Sequence, residues 1–229
     1  YLENSRTPDA YNRIVKGDAD IIFVAQPSGG QKKRAEESGV TLLYTPFARE
    51  AFVFIVNADN PVNSLTEQQV RDIFSGAITN WRTVGGNDQE IQTWQRPEDS
   101  GSQTVMQSQV MKKVRMISPQ ETEVASVMEG MIKVVAEYRN TNNAIGYTFR
   151  YYATQMNADK NIRLLAINGI TPTAENIRNG KYAYIVDAFM VTRENTTSET
   201  QKLVEWFLTP QGQSLVEDVG YVPLYLTME

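Results

Sequence analysis

Arg96-Pro97-Glu98-Asp99-Ser100-Gly101-Ser102 sets a guanidinium, two hydroxyls and a glycine just ahead of Gln103 to Met111, a stretch of helical propensity. A helix start presents backbone N–H groups that have no partner within the helix, together with the positive end of the helix dipole. The two bind anions in concert. Ser100 and Ser102 add hydroxyl donors, Arg96 offers a bidentate, charge-assisted contact to an oxyanion, and Gly101 lets the backbone come close to a ligand. The same residues also describe an ordinary Ser-capped helix with an exposed arginine, and the pattern alone leaves both readings open.

Other chemistries find less support. A nucleophilic serine needs a base, yet the chain has no His, and the first Lys after the loop is Lys112. Zero Cys and zero His together remove Ser-His and Cys-His pairs, disulfides and nearly every zinc site. Glu98-Asp99 offers half of a divalent-metal site at most, since the flanking serines are poor ligands for a hard cation. The pair reads as solvated loop charge. Neither a metal nor a cofactor is implied. The formal net charge of −5, from 22 basic and 27 acidic residues, argues against a nucleic-acid partner. Met128, Met131, Phe149, Tyr151 and Tyr152 read as core and surface packing rather than as a ligand box.

The elements that must position the loop are those of an α/β chain. With 229 residues, 41% of them hydrophobic, the chain has room for one large domain or two small ones at about 150 residues per domain. Thr7-Pro8-Asp9 reads as a helix start with Thr7 as the cap, and Gly17 as its end. Asp20 to Ala25 is a continuous apolar run, as in a parallel strand buried on both faces. Lys32 to Ser38 reads as a charged helix. Val40 to Tyr44 and Ala51 to Asn57 read as strands, and Thr66 with Gln69 opens a helix in a capping box. Further on, strands are expected at Ile91 to Gln95, Ala144 to Tyr147, Ile162 to Ile167 and Tyr182 to Val191. Helices are expected at Val124 to Tyr138, Glu175 to Asn179, Glu199 to Leu208 and Pro210 to Val219. Alternating strands and helices imply βαβ units. No run reaches the roughly 18 apolar residues of a membrane span. The chain opens on Tyr1, not Met, so the expectation is of a processed or cut piece with a segment upstream.

A series of motifs carries a family resemblance over nearly the whole chain. Asp72-Ile73-Phe74-Ser75-Gly76-Ala77-Ile78-Thr79-Asn80-Trp81 is followed by Val84-Gly85-Gly86. Next come Arg96…Ser100-Gly101-Ser102, Ala144-Ile145-Gly146-Tyr147, and finally Gln211-Gly212…Gly220-Tyr221-Val222-Pro223-Leu224. The series resembles the PstS-like phosphate-binding proteins of phosphate ABC importers, the Gram-positive, membrane-attached versions above all.

The resemblance implies a two-lobed type II periplasmic-binding-protein fold. Residues 1–51 and 183–229 would form one lobe and 52–182 the other. The stretches 45–57 and 182–191 would be adjacent hinge crossings, and an anion would be held between the lobes. It implies binding rather than catalysis. The ligand is inorganic phosphate or a similar oxyanion, the partners are the membrane subunits of an importer, and the chain acts as a monomer outside the cytoplasm. Membrane attachment would run through the upstream segment, which in the family also supplies a first strand and part of the site. The implied ligand contacts are Arg96, Ser100, Gly101 and Ser102, the last standing where the family has Thr, joined by Thr7 and Gln26. Where many relatives place an acidic residue that accepts the proton of hydrogen phosphate, this chain has Ala25-Gln26. Only the Gln26 amide oxygen can accept there, which leaves selectivity against sulfate open. A ligand-free sensory or interaction domain on the same fold, and more distantly a phosphoester-acting enzyme, remain the alternatives.

Overall fold

The computed structural model describes residues 2–119, 124–125, 128–137, 142–156 and 158–225. Helix α1 (Thr7–Lys16) leads to strand β1 (Ile21–Val24), α2 (Gly29–Glu37) and the long strand β2 (Leu42–Asn57). After these come β3 (Ser64–Leu65), α3 (Glu67–Ser75), a 3-10 turn at Trp81–Val84, β4 (Gln92–Thr93) and α4 (Gly101–Val105). Helix α4 continues into a π turn, Met106–Met111. The later elements are α5 (Met128–Glu137), β5 (Ala144–Phe149), a π turn at Tyr152–Met156, β6 (Ile162–Leu164), β7 (Ala166–Ile167), α6 (Ala174–Arg178), β8 (Ile185–Arg193), α7 (Ser198–Phe207), α8 (Pro210–Asp218) and β9 (Val222–Pro223). The chain is thus a mixed α/β protein. It divides into two compact units: Tyr1–Glu50, Glu98–Thr104 and Val186–Glu229 in one, Ala51–Pro97 and Val105–Ile185 in the other.

In the first unit β8 lies beside β2. β1 runs antiparallel to β8, from Ile21 opposite Thr192 to Val24 opposite Phe189, and β9 pairs antiparallel with β2 at Ala48 and Arg49. Ile22 and Val191 pack with Ala10, Tyr11 and Ile14 of α1. Phe47, Ala48, Met190 and Val216 form a second apolar cluster, with Phe207 of α7 against it. β1 is not buried on both faces as its apolar run suggested, because Phe23 is 42% exposed. The ring of Phe23 meets Phe47 and Phe207 edge-on instead.

In the second unit the other half of β2 pairs antiparallel with β5, from Phe52 opposite Phe149 to Val56 opposite Ile145, and also with β6. β4 joins β5 in parallel, and β3 joins β7 in parallel as a separate pair. Alternation had suggested βαβ units, but the β1–β8, β2–β5, β2–β6 and β2–β9 ladders are antiparallel. Strands distant in sequence become neighbours here, so a short crossover helix does not set their direction.

Local signals account for most element ends. Thr66 Oγ1 accepts the Gln69 N–H at 3.1 Å and Gln69 Oε1 accepts the Thr66 N–H at 2.8 Å, the reciprocal pair of a capping box. Gly76 ends α3 at φ 83°. Thr7 does not cap α1, because the Arg6 carbonyl takes the Ala10 N–H at 2.9 Å and closes the first turn one residue sooner. The strands expected at Val40–Tyr44 and Ala51–Asn57 are one strand, which starts at Leu42. β2 runs through Pro46, although a proline lacks a ladder donor. The helix expected over Val124 to Tyr138 is found at Met128–Glu137; Tyr138 and the side chain of Met128 lie outside the described residues.

Gly212, in the first turn of α8, sits against the end of α7. A Cβ there would stand 2.3 Å from the Trp206 carbonyl oxygen and 2.6 Å from Phe207 Cα. Both are backbone atoms, so relief requires the two helices to separate. Gly212→Ala is expected to destabilise by about 1–3 kcal/mol, a drop in melting temperature of roughly 2–4 °C per kcal/mol at this chain length. Gly29→Ala has open space around it and is expected to leave the melting temperature unchanged or raise it. Thermal unfolding of the two variants beside the parent checks both.

Candidate oxyanion site

Segment Glu98–Thr104 belongs to the first unit, whereas the sequence placed it with the middle of the chain. Asp99 is the reason. Its carboxylate accepts from Ser28 Oγ at 3.2 Å and lies 3.5 Å from an Arg34 guanidinium nitrogen. Its carbonyl accepts from Gln31 Nε2 at 3.2 Å. Asp99 is therefore an anchor rather than a solvated loop charge. Ser28 and Gln31 form a second capping box. The Gln31 N–H reaches Ser28 Oγ at 3.1 Å and the Ser28 N–H reaches Gln31 Oε1 at 2.8 Å. Helix α2 consequently starts at Gly29, three residues before the charged run Lys32 to Ser38 that marked it in the sequence. Sequence reasoning missed Ser28 and Gln31, although the Ser-x-x-Gln spacing was there to be read.

This anchoring fixes the start of α4. Ser100 Oγ accepts the Gln103 N–H at 3.2 Å, and the Ser100 carbonyl accepts from the Thr104 N–H at 3.0 Å and from Thr104 Oγ1 at 3.1 Å. Gly101 is buried as the first helical residue. Ser102 follows, fully buried at 0% exposure, and its hydroxyl has no hydrogen-bond partner among the described residues. Ser100 thus serves the helix as its cap, while Ser102 Oγ remains an unspent donor in the first turn.

Thr7 and Gln26 lie in the same unit. Thr7 is the first residue of α1, and Gln26 follows β1 by two positions. Tyr11 Oη donates to the Ala25 carbonyl at 3.1 Å and so ties α1 to the turn that carries Gln26. Burial pushes the Tyr11 hydroxyl far above its ordinary pKa, and Tyr44 nearby pushes it the same way. It stays a neutral donor.

Arg96 belongs to the second unit and is 8% exposed, not the surface arginine of the simpler sequence reading. Its backbone N–H donates to Tyr147 Oη at 3.1 Å, and its guanidinium donates to the Ala125 carbonyl at 2.9 Å. Burial raises the Tyr147 pKa, against a smaller lowering by the Arg96 N–H and charge. The hydroxyl is neutral and accepts from Arg96. Among the described residues, no group of three or more acidic side chains is placed to hold a metal ion, and no helix is long and apolar enough to cross a membrane.

The sequence profile of the PBP superfamily domain matches residues 2–211. The phosphate-binding protein PstS of Bacillus subtilis is 29% identical over 170 residues, 74% of this chain and 53% of that protein. PstS of Borreliella burgdorferi is 26% identical over 181 residues, 78% and 64% of the two chains. PstS of Staphylococcus epidermidis is 25% identical over 227 residues, 94% and 67%. The chain thus spans about half to two thirds of the length of these relatives. Among solved structures, a substrate-binding protein assigned to phosphate ABC transport from Clostridium perfringens, with bound phosphate, superposes with a TM-score of 0.78 at 25% identity. That match covers 95% of this chain and 84% of the other. A phosphate transport receptor of Vibrio cholerae shares the fold, with a TM-score of 0.69 at 24% identity over 94% and 84% of the two chains. The chain belongs to the PBP superfamily domain family.

Proposed function

We propose that this chain is the ligand-binding part of an extracytoplasmic solute-binding protein, one that takes phosphate or a related oxyanion and delivers it to the membrane subunits of an ABC importer. It binds its ligand and does not transform it. The observation that carries this reading is the fully buried Ser102 hydroxyl, which lacks a partner among the described residues in the first turn of a helical run. An unpaired buried donor costs free energy, and it is understandable where a ligand supplies the missing acceptor. Relatives over most of the chain are named for phosphate binding.

In this reading Ser102 Oγ and the N–H groups of the first turn hold the anion. Gly101 lets it approach the backbone, and Ser100, Thr7 and Gln26 of the same unit join the set; Arg96 is carried as a further contact that the family resemblance implies. The two compact units act as the two lobes of a binding protein. A neutral Ser, Gln and backbone shell with one arginine suits a small anionic oxyanion, since each donor bonds more strongly to charge than to a neutral group. A second reading, a ligand-free interaction domain, draws on Asp99. Its carboxylate already sits at the start of α2, where a bound anion would otherwise be stabilised.

Calorimetric titration with phosphate and with sulfate separates the two. Saturable binding of phosphate is expected, and heat of dilution alone with both anions would overturn the binding reading. Ser102→Ala removes a hydroxyl with no described protein partner. It is expected to leave the melting temperature equal or higher while weakening phosphate by about 1.5–3 kcal/mol, the range for a hydrogen bond to a charged group. A variant that binds like the parent would remove Ser102 from the site. Arg96→Ala is expected to weaken phosphate by a similar ~1.5–3 kcal/mol. It should also lower the melting temperature, because the Ala125 carbonyl loses its guanidinium donor. Equal affinities of Arg96→Ala and parent would show that the arginine serves only the fold.

A further inference from the structure

The turn after Met106–Met111 carries Lys112, Lys113, Val114 and Arg115, all of them exposed. In a chain of net charge −5, residues 100–120 contain no acidic residue; the next are Glu121 and Glu123. None of the three cations has an ion-pair partner among the described residues. Two aliphatic side chains accompany them, with Val114 at 44% exposure and Ile117 at 36%.

The turn is held at both ends. Met111 is buried at 1% exposure, and its carbonyl accepts the Val114 N–H at 2.8 Å. The Ile117 N–H donates to the Phe74 carbonyl at 2.9 Å, and the Ile117 carbonyl accepts from Gln95 Nε2 at 2.8 Å. Gly76 leaves room for this segment, since a Cβ there would stand 2.7 Å from Ile117 Cγ2. Lys112 adopts φ 48° and ψ −108°, a conformation that a residue with a Cβ takes only under strain. The strain is stored in a turn that nothing in the oxyanion site uses.

We propose that the 112–117 turn is a peripheral docking element for an anionic phospholipid surface. The three cations meet lipid phosphates, and Val114 and Ile117 enter the boundary between headgroups and acyl chains. The acidic remainder of the molecule is repelled by the same surface, which favours an approach with this turn leading. An acidic protein would satisfy the cations equally well, but it leaves the two exposed aliphatic side chains without a role, and so the lipid surface is the better fit.

Vesicle flotation of the full chain tests this, with phosphatidylcholine alone and with added phosphatidylglycerol. The expected result is retention only on the anionic vesicles and release by raised salt. Each cation near such a surface contributes ~1 kcal/mol, roughly fivefold. The combined Lys112→Gln, Lys113→Gln, Arg115→Gln variant is therefore expected to lose roughly a hundredfold in partition, with unchanged melting. Val114→Ser is expected to bind at low salt and to release at lower salt than the parent. No retention of the parent on anionic vesicles, or equal retention of the triple variant, overturns the proposal. So does capture on polyglutamate beads without capture on vesicles, which would assign the turn to an acidic protein partner.

Discussion

The main ladders of both units are built on β2, a strand of sixteen residues that runs from one unit into the other. Its first half supports β9 and lies beside β8, and its second half supports β5 and β6. Ala51, Phe52, Val53, Phe54, Ile55 and Val56 are each at 0% exposure. A full run of buried residues, rather than alternate ones, means that both faces of this half are covered. At about 25 cal/mol per Å² of apolar area removed from water, such a strand contributes strongly to the stability of its unit.

The rings around this strand connect the core to the loop before α4. Phe52 and Phe54 both contact Tyr147, and Phe74 meets Phe54 and Tyr147 in turn. Tyr147 is buried by these rings and still has a polar tip to satisfy, as buried tyrosines generally do. It does so by accepting the Arg96 N–H. The position of the Arg96 backbone is thus set by the aromatic core of the second unit. A few residues later the chain is fixed by quite different means, the polar grip of Ser28, Gln31 and Arg34 on Asp99. Hydrophobic packing holds one end of the loop and a capping network the other. Within the first unit that network fixes the start of α4, where Ser102 is buried.

The cationic turn follows the same logic by other contacts. Ile117 is pinned through its backbone to Phe74 and Gln95, and Gly76 is compatible with that approach where any larger residue is not. The glycine that stops α3 at a positive φ therefore has a second duty, to admit the segment that carries Ile117.

The sequence by itself determined the α/β class, most element positions, the Thr66–Gln69 cap and a helix start rich in hydroxyls after Arg96, because these depend on local propensity and short-range spacing. The Arg96-to-Ser102 loop was legible for that reason: its hydroxyls, glycine and arginine sit within seven residues of one another in the chain. Tertiary structure decided what depends on partners far away. The antiparallel pairing of β1 with β8 joins residues some 170 positions apart, and no local pattern encodes it. Asp99 looked like solvated charge because its partners Ser28 and Gln31 lie 71 and 68 residues upstream. Ser100 and Ser102 are alike in sequence. Only the packed structure separates them, since the Ser100 hydroxyl finds the Gln103 N–H and becomes a cap, whereas the Ser102 hydroxyl is buried with no partner among the described residues.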